Sequence, residues 1–263
     1  MVTGATDGHG RALAARLAAQ GAAVLVHGRD EARVRETVEK IGGSQALIAD
    51  FASLEEVQSL AESVLGAQER LDALVNNAGI GTSNEGHGRR EESTDGFELR
   101  FAVNYLAGYL LTRLLLPLLE RSAPTRIVNV ASAGQAPIDF DDVMLERGYD
   151  GGRAYAQSKL AQIMFTFDLA DELDGSGVTA NCLHPATYMP TKMVRDAGIH
   201  PTSSLEQGVD ATFRLVADRD LDGVTGRYFS GTREAEPDAQ ARDPEARARL
   251  RELSDQLCGA QQA

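Results

Sequence analysis

Short apolar runs alternate with helical patterns along almost the whole chain, and nothing else in it restricts the fold as strongly. The runs are AAVLVH, QALIA, LDALVN, TRIVNVA, GVTANCLH and a late GRYFS. Between them lie GRALAARLAAQG, DEARVRETVEKI, SLEEVQSLAESVLG, DGFELRFAVNYLAGYLLTRLLLPLLER and GGRAYAQSKLAQIMFTFDLADEL. Strands in this rhythm pair in parallel, because a helix must carry the chain back between them. Near-continuous apolarity in the strands implies burial on both faces. The pattern predicts an α/β, doubly wound, mostly parallel seven-stranded sheet with helices on both faces. Its first strand is truncated: only Met1 and Val2 precede the loop TGATDGHG, where such a sheet places a central strand. The rhythm therefore predicts further apolar residues upstream in the natural chain.

No Pro/Ser-rich linker or repeat divides the 263 residues, so one domain over 1–263 is expected, with a polar, partly helical appendage over 232–263. Two stretches break the rhythm, 79–94 and 133–152, and long irregular segments in a compact domain are commonly functional loops. Lys plus Arg number 26 against 39 Asp plus Glu, a net charge of −13. That field repels nucleic acid and anionic membranes and leaves a small molecule as the expected partner. Cys182 and Cys258 lack paired spacing and suit a reducing compartment. MVTGATDGHG has no signal-peptide character. LAGYLLTRLLLPLL, interrupted by Arg113 and Pro117, reads as too short to span a bilayer. A soluble, cytoplasmic protein is the expectation.

Gly4, Gly8 and Gly10 form G-x-x-x-G-x-G ahead of an Ala/Leu-rich helix. Glycines permit a sharp turn and close approach to a diphosphate, and a helix N-terminus offers it free N–H groups. The next strand ends in HGRD, where an acid would hold an adenosine 2′-hydroxyl and a base a 2′-phosphate. Gly28 stands where the acid is expected and Arg29 follows, which favours NADP, with NAD possible; Asp7 in the loop argues the other way. NNAG (76–79) and NVAS (129–132) close adjacent strands with small residues, the edge at which open α/β sheets bind ligands. Tyr155 and Lys159 lie four apart on one helix, hence on one face.

Together these motifs resemble the short-chain dehydrogenase/reductase family from Val2 to about Gly231, most closely its retinol-dehydrogenase-like and WW-domain-oxidoreductase-like members. The resemblance implies a Rossmann-type sheet and an NADP(H)-dependent oxidoreductase that interconverts a carbonyl and an alcohol by hydride transfer. It implies Tyr155 as general acid/base, Ser132 as hydrogen-bond donor to the same substrate oxygen, Lys159 on the nicotinamide ribose, and Asn104 in a proton relay. An ammonium beside a phenol favours the phenolate, so Lys159 is expected to lower the pKa of Tyr155. The resemblance also carries Gly4, Thr6, Gly8, His9 and Gly10 onto the phosphate loop and Arg29 onto the 2′-phosphate. Asp50 and Phe51 fall beside the adenine, and Asn77, Ala78 and Gly79 along the ribose. Pro185, Tyr188 and Thr191, in HPATYMPT, face the nicotinamide and diphosphate. Ala186 replaces the family's glycine there, which restricts the backbone before Tyr188.

Other readings stay open on the sequence: a catalytically silent, NAD(P)-bound regulatory or scaffolding protein, or an epimerase or dehydratase on the same fold. The expected substrate is an apolar, polyketide-like, retinoid-like or steroid-like carbonyl or alcohol, with Phe140, Met144, Tyr149, Tyr188 and Met193 as candidate pocket walls. The helices over 95–121 and 152–174 are candidates for a homodimer or homotetramer face. His9, His27, His87, His184 and His200 lack metal-ligand spacing, and Cys182 reads as a buried thiol; no metal is expected.

Overall fold

The computed structural model describes residues 1–42, 44–82 and 89–259. Its strands are β1 (Val24–Gly28), β2 (Ser44–Ile48), β3 (Ala73–Asn76), β4 (Thr125–Val130), β5 (Val178–His184), β6 (Arg227–Ser230) and β7 (Arg233–Glu234). β1 pairs with β2, and β3 through β6 pair in sequence order, all in parallel; β7 turns back antiparallel on β6. Val2 bridges both Val26 and Val75 in parallel. Its N–H donates to Leu25 O at 3.0 Å and its carbonyl accepts from His27 N at 3.2 Å, while Thr3 N donates to Val75 O at 3.0 Å. The Met1–Thr3 segment thus joins β1 to β3 at the centre of the sheet. The polar strand β7 escapes prediction because two exposed residues carry no periodicity.

Helices cover both faces. On one side α1 (Gly8–Ala19), α2 (Glu31–Ile41) and α8 (Leu205–Ala217) bury Leu13, Val34, Val209 and Leu215 with Val26, Val75 and Val128 of the sheet. On the other, α3 (Leu54–Ala67), α5 (Ala107–Arg121) and α6 (Gly151–Glu172) bury Val57, Leu60, Leu111, Leu115, Leu160 and Ile163 against Leu74, Ile127 and Ala180. Strands covered on both faces must be apolar throughout, which is why the runs lack alternation.

Helix α5 is preceded by α4 (Leu99–Phe101) and a π-helical turn, Ala102–Leu106. The continuous helix Leu99–Arg121 has 23 residues and passes the length and composition test for a membrane span, contrary to the expectation from its apolar core alone. Of its most apolar window 72% is buried within the protein, and Leu111, Leu115, Leu118 and Leu119 are fully inaccessible. It is a core helix by packing, not by shortness. The polar C-terminal stretch is also packed: α9 (Pro244–Leu257) lies on α6 and buries Ala246, Leu250 and Ser254. Helix α7 (Lys192–Asp196) follows β5 on the side where the motifs collect.

Candidate active site

The glycine loop leaves the sheet at Thr3 and turns into α1. Gly4 and Gly8 both have left-handed backbones, φ +63° and +47°, which glycine adopts without steric cost. A Cβ on Gly4 would lie 2.7 Å from the Ala78 Cα, so only glycine lets the loop press on the end of β3. Thr3 Oγ1 accepts from Asn77 N at 2.9 Å and Ala78 N at 3.0 Å, and Asn77 Nδ2 donates to Thr3 O at 2.8 Å. Asn77 and Ala78, expected beside a ribose, therefore serve first to tie NNAG to the loop.

His9 departs from expectation in the same way. Its ring is buried, with Nδ1 2.9 Å from Asn77 Oδ1 and Nε2 3.1 Å from Gly208 O and 3.0 Å from Thr212 Oγ1. The side chain bridges α1 to α8 and is not available to a phosphate; burial pushes its pKa down. Asp7, the counter-signal in the loop, is compensated. Its carboxylate accepts from Gly8 N at 2.7 Å and pairs with Arg33 at 3.0 Å. Burial alone would raise its pKa, but these partners hold it below the usual carboxylate value.

At the adenosine end, a Cβ on Gly28 would lie 2.5 Å from Thr6 Cγ2 and 3.0 Å from Val34 Cγ2. No carboxylate side chain fits there. Arg29 is largely exposed, 3.9 Å from Asp50, and Arg33, one helical turn on, reaches Thr6 O at 3.4 Å. Two guanidiniums thus flank the loop, Arg29 from the strand end and Arg33 from the first turn of α2. Asp50 lies at the strand end as expected, its Oδ1 accepting from Ala52 N at 3.0 Å. Phe51 is buried and stacks on His27 at 4.3 Å between centroids, so its ring is turned into the core.

His27 itself was missed. Its Nδ1 accepts from Gly4 N at 3.2 Å, which leaves Nε2 as the donor to Ala49 O at 3.1 Å. Burial lowers its pKa from 6.5 to about 4, against the raising effect of the Ala49 bond. The folded chain then refuses a proton that the unfolded chain binds. Stability from this group is complete above pH 6.5 and lost as pH falls to about 4, with an upper bound on the order of 3 kcal/mol. Urea midpoints measured across that window should fall with acidification, and His27→Asn, which keeps an acceptor for Gly4 N–H but does not titrate, should give a shallower slope.

The catalytic candidates meet at the carboxyl ends of β4 and β3. Ser132 Oγ accepts from Gly134 N at 3.0 Å and stands beside the Tyr155 ring: a Cβ on Gly134 would lie 3.6 Å from Ser132 Oγ and 3.8 Å from Tyr155 Cε1. Lys159 is buried; its Nζ donates to Val130 O at 2.9 Å and Gln162 Oε1 at 2.8 Å and stands 5.7 Å from the centre of the Tyr155 ring. A Cβ on Gly79 would lie 3.6 Å from that Nζ and 3.2 Å from Asn104 Oδ1, so a glycine keeps this space clear. The expected lowering of Tyr155 is not what the resting protein shows. Burial penalises both charged forms: it raises the phenol, against the Ser132 bond, and drops Lys159 to about 7. Desolvation outweighs attraction when both partners leave water.

Asn104 lies in the π turn, a feature frequent at functional sites. Its Oδ1 accepts from Ile80 N at 2.7 Å, and its Nδ2 donates to Ile80 O at 3.2 Å and Ser158 Oγ at 2.9 Å. Ser158 Oγ in turn donates to Tyr155 O at 2.7 Å. With its amide spent on these bonds, Asn104 positions the segment after β3 against the Tyr155 helix; a relay through its side chain is not what the geometry offers.

After β5, Pro185 and Ala186 lead to Tyr188, whose φ of +48° is a strained value for a bulky residue. Its carbonyl accepts from Thr202 N at 3.1 Å. Thr191 does reach the loop: its Cγ2 would meet a Cβ on Gly8 at 3.1 Å. Of the pocket candidates, Phe140 and Met144 pack on the core, Tyr149 is engaged in a buried polar cluster, and Tyr188 and Met193 are exposed. Cys182 is buried mid-strand as expected, its thiol pushed up to about 12 by desolvation. His87 lies outside the described residues.

The short chain dehydrogenase family model matches residues 1–201. Mouse retinol dehydrogenase 13 is 37% identical over 283 residues, covering 98% of this chain and 83% of the relative. Mouse retinol dehydrogenase 14 is 36% identical, covering 98% and 85%. Among solved structures, an uncharacterised protein from Mycobacterium paratuberculosis superposes with a TM-score of 0.80 at 28% identity, covering 98% of this chain and 91% of that one. Pseudomonas aeruginosa RhlG, solved as an active-site complex with NADP, gives 0.70 at 28% identity, covering 87% and 92%. With a glycine loop at a helix N-terminus, a serine and a tyrosine side by side near a buried lysine, and these likenesses over nearly its full length, the chain belongs to the short-chain dehydrogenase family and is an NAD(P)-dependent oxidoreductase acting on CH–OH groups.

Proposed function

We propose that the protein is an NADP(H)-dependent oxidoreductase that interconverts an apolar carbonyl compound and its alcohol, with Tyr155 as general acid/base. The observation that carries this reading is the convergence of Ser132, Tyr155 and the buried Lys159 at one end of the sheet. The donor set fits a dinucleotide. Main-chain N–H groups at the start of α1 suit a diphosphate; Lys159, next to the space that Gly79 keeps clear, suits a ribose; Arg29 and Arg33 suit a further phosphate. When bound, the nicotinamide supplies or accepts the hydride.

In reduction Tyr155 gives its proton to the substrate oxygen, and Ser132 donates a second hydrogen bond that steadies the developing charge. A phenol raised by burial is protonated at neutral pH, the state this direction requires. Lys159, at about 7, can exchange a proton within the working range and return one to the site. Asn104 acts by position.

The curated relatives are named retinol dehydrogenases, which supports a retinoid-like aldehyde or alcohol as the substrate class. Loss of NADPH absorbance with a panel that includes all-trans-retinal, benzaldehyde and a steroid ketone, with NADH as control, tests the reading. Turnover of an apolar carbonyl with NADPH is the expected result; failure with every carbonyl under both nucleotides would sink it. The net charge of −13 and two free cysteines support a soluble enzyme of a reducing compartment such as the cytoplasm.

The choice of nucleotide is testable apart from turnover. Each guanidinium in contact with a 2′-phosphate makes a charge-assisted bond, so replacing both Arg29 and Arg33 by Ala should weaken NADPH binding by tenfold or more, on the order of the 1.5–3 kcal/mol per bond to a charged group. NADH affinity should fall less, by what leaving Asp7 without its Arg33 partner costs either nucleotide. Equal losses for both nucleotides, measured by fluorescence titration, would assign the arginines to folding instead.

A further inference from the structure

We propose that the C-terminal segment, through Gln135 and Gln240, positions Ser132 and the loop 133–150 that leads from it to the Tyr155 helix. The inference rests on the catalytic reading of Ser132 and Tyr155 given above. Asp238 N donates to Gln135 Oε1 at 2.8 Å, and Gln135 Nε2 donates to Ser132 O at 3.0 Å; Tyr228 OH reaches the same carbonyl at 3.1 Å. One amide side chain therefore connects the C-terminal segment to the main chain of Ser132.

Gln240 makes the second link. Its Oε1 accepts from Ile138 N at 2.6 Å and its Nε2 donates to Ile138 O at 3.1 Å, so it completes both main-chain groups of a buried loop residue. The glutamine is fixed in turn, because Gln240 N donates to Asp238 Oδ1 at 2.9 Å. Arg249 stacks over Phe140 of the same loop at 4.5 Å.

Behind these contacts α9 is bolted to α6, which carries Tyr155 and Lys159. Arg247 pairs with Asp171 at 2.9 Å and Arg251 with Asp168 at 2.7 Å. On its other side, Tyr105 and Tyr109 bond Ser254 and Asp255 at 2.7 and 2.6 Å. The segment thus grips the loop after Ser132 and the helix bearing Tyr155 at once. Two hydroxyls that must converge on one substrate oxygen need their separation fixed, and here it is fixed from outside the sheet. Gln135 and Gln240 are positioning residues.

Gln135→Ala, Gln240→Ala and Gln240→Glu test this on the full chain. Hydrogen exchange should quicken over 133–140 in both alanine variants and stay unchanged over 155–165. With all-trans-retinal and NADPH, Gln240→Ala should raise KM about tenfold, and Gln135→Ala, acting on Ser132, should lower kcat about tenfold. NADPH affinity by fluorescence should hold within about twofold in each. Gln240→Glu keeps the acceptor for Ile138 N–H and loses the donor, so it should fall between wild type and Gln240→Ala; it also serves if the alanine variant does not fold. Unchanged exchange over 133–140, or NADPH affinity lost in step with the kinetics, overturns the proposal. If the wild type reduces neither retinal nor benzaldehyde, the catalytic reading is what has failed, and the exchange pattern still decides the positional claim.

Discussion

Tyr155→Phe is expected to cut kcat for NADPH-dependent carbonyl reduction about a thousandfold, within the 10²–10⁴ range of a positioned proton donor, while NADPH still binds. In the proposed mechanism the phenol is the group that hands its proton to the substrate oxygen. Removing its oxygen leaves the ring in place beside Lys159 and leaves Ser132 Oγ bonded to Gly134 N, so little packing is lost. The melting temperature should therefore stay close to that of wild type. Two controls separate chemistry from collapse: fluorescence titration with NADPH, expected to match wild type, and a pre-steady-state mix, expected to show no fast phase of NADPH consumption. Undiminished turnover would mean that another group supplies the proton. The pH profile adds a check: burial raises the phenol above its ordinary value, so it stays protonated into alkaline solution, and a decline beginning near neutrality reports Lys159, at about 7.

What could be read from residues alone was whatever depends on local spacing. Glycines ahead of a helix, small residues at strand ends and the i, i+4 pair Tyr155 and Lys159 are patterns within a few positions, and the structure brings them to one edge of the sheet. What stayed hidden depends on partners far apart in sequence. The closeness of Thr6 to Gly28, the Val130 carbonyl that accepts from Lys159 and the link from Asp238 through Gln135 to Ser132 have no local signature.

His9, expected at the phosphate loop, and Asn77, expected along the ribose, spend their side chains on holding α1 to α8 and the end of β3 to Thr3. A motif records that a residue type is needed, not which of its groups is used. The helix α8 was overlooked because SSLEQGVDATFRLVA mixes Gly208 and β-branched residues into its apolar face. Its start was nonetheless written as a capping box between Ser204 and Gln207, a signal that outweighs middling propensity. The C-terminal stretch reads as an appendage for a related reason: polar residues of 238–251 face charged and aromatic partners on α6 and the loop, so low hydrophobicity does not mean low contact.

Arg100 carries the largest expected effect on stability. In the sequence ELRFAVNY it resembles a solvated helix charge, yet it and Glu98 are almost wholly buried, 0% and 1% exposed, and paired at 3.4 Å. Its guanidinium donates to Gly81 O at 2.9 Å, Thr82 O at 3.1 Å and Tyr149 OH at 2.7 Å. Glu98 accepts from Tyr149 OH at 3.0 Å and Phe101 N at 2.7 Å. The cluster holds the segment after β3 and the end of the 133–150 loop to the helix that contains Asn104. Arg100→Met should cost about 3–5 kcal/mol, because it strands the Glu98 carboxylate without a counter-ion in a site closed to water. For a chain of this size that is a drop in melting temperature of roughly 10 °C. Glu98→Gln in the same chain removes the stranded charge, keeps an amide oxygen to accept from Phe101 N and turns its NH2 as a donor to Tyr149 OH, so the double variant should recover part of the loss. The coupling is the decisive measurement: a double-mutant cycle with no interaction energy would show that the two charges act independently. If the single variant melts with wild type, the cluster is held together by its neutral bonds, and the pair contributes specificity of loop position without stability.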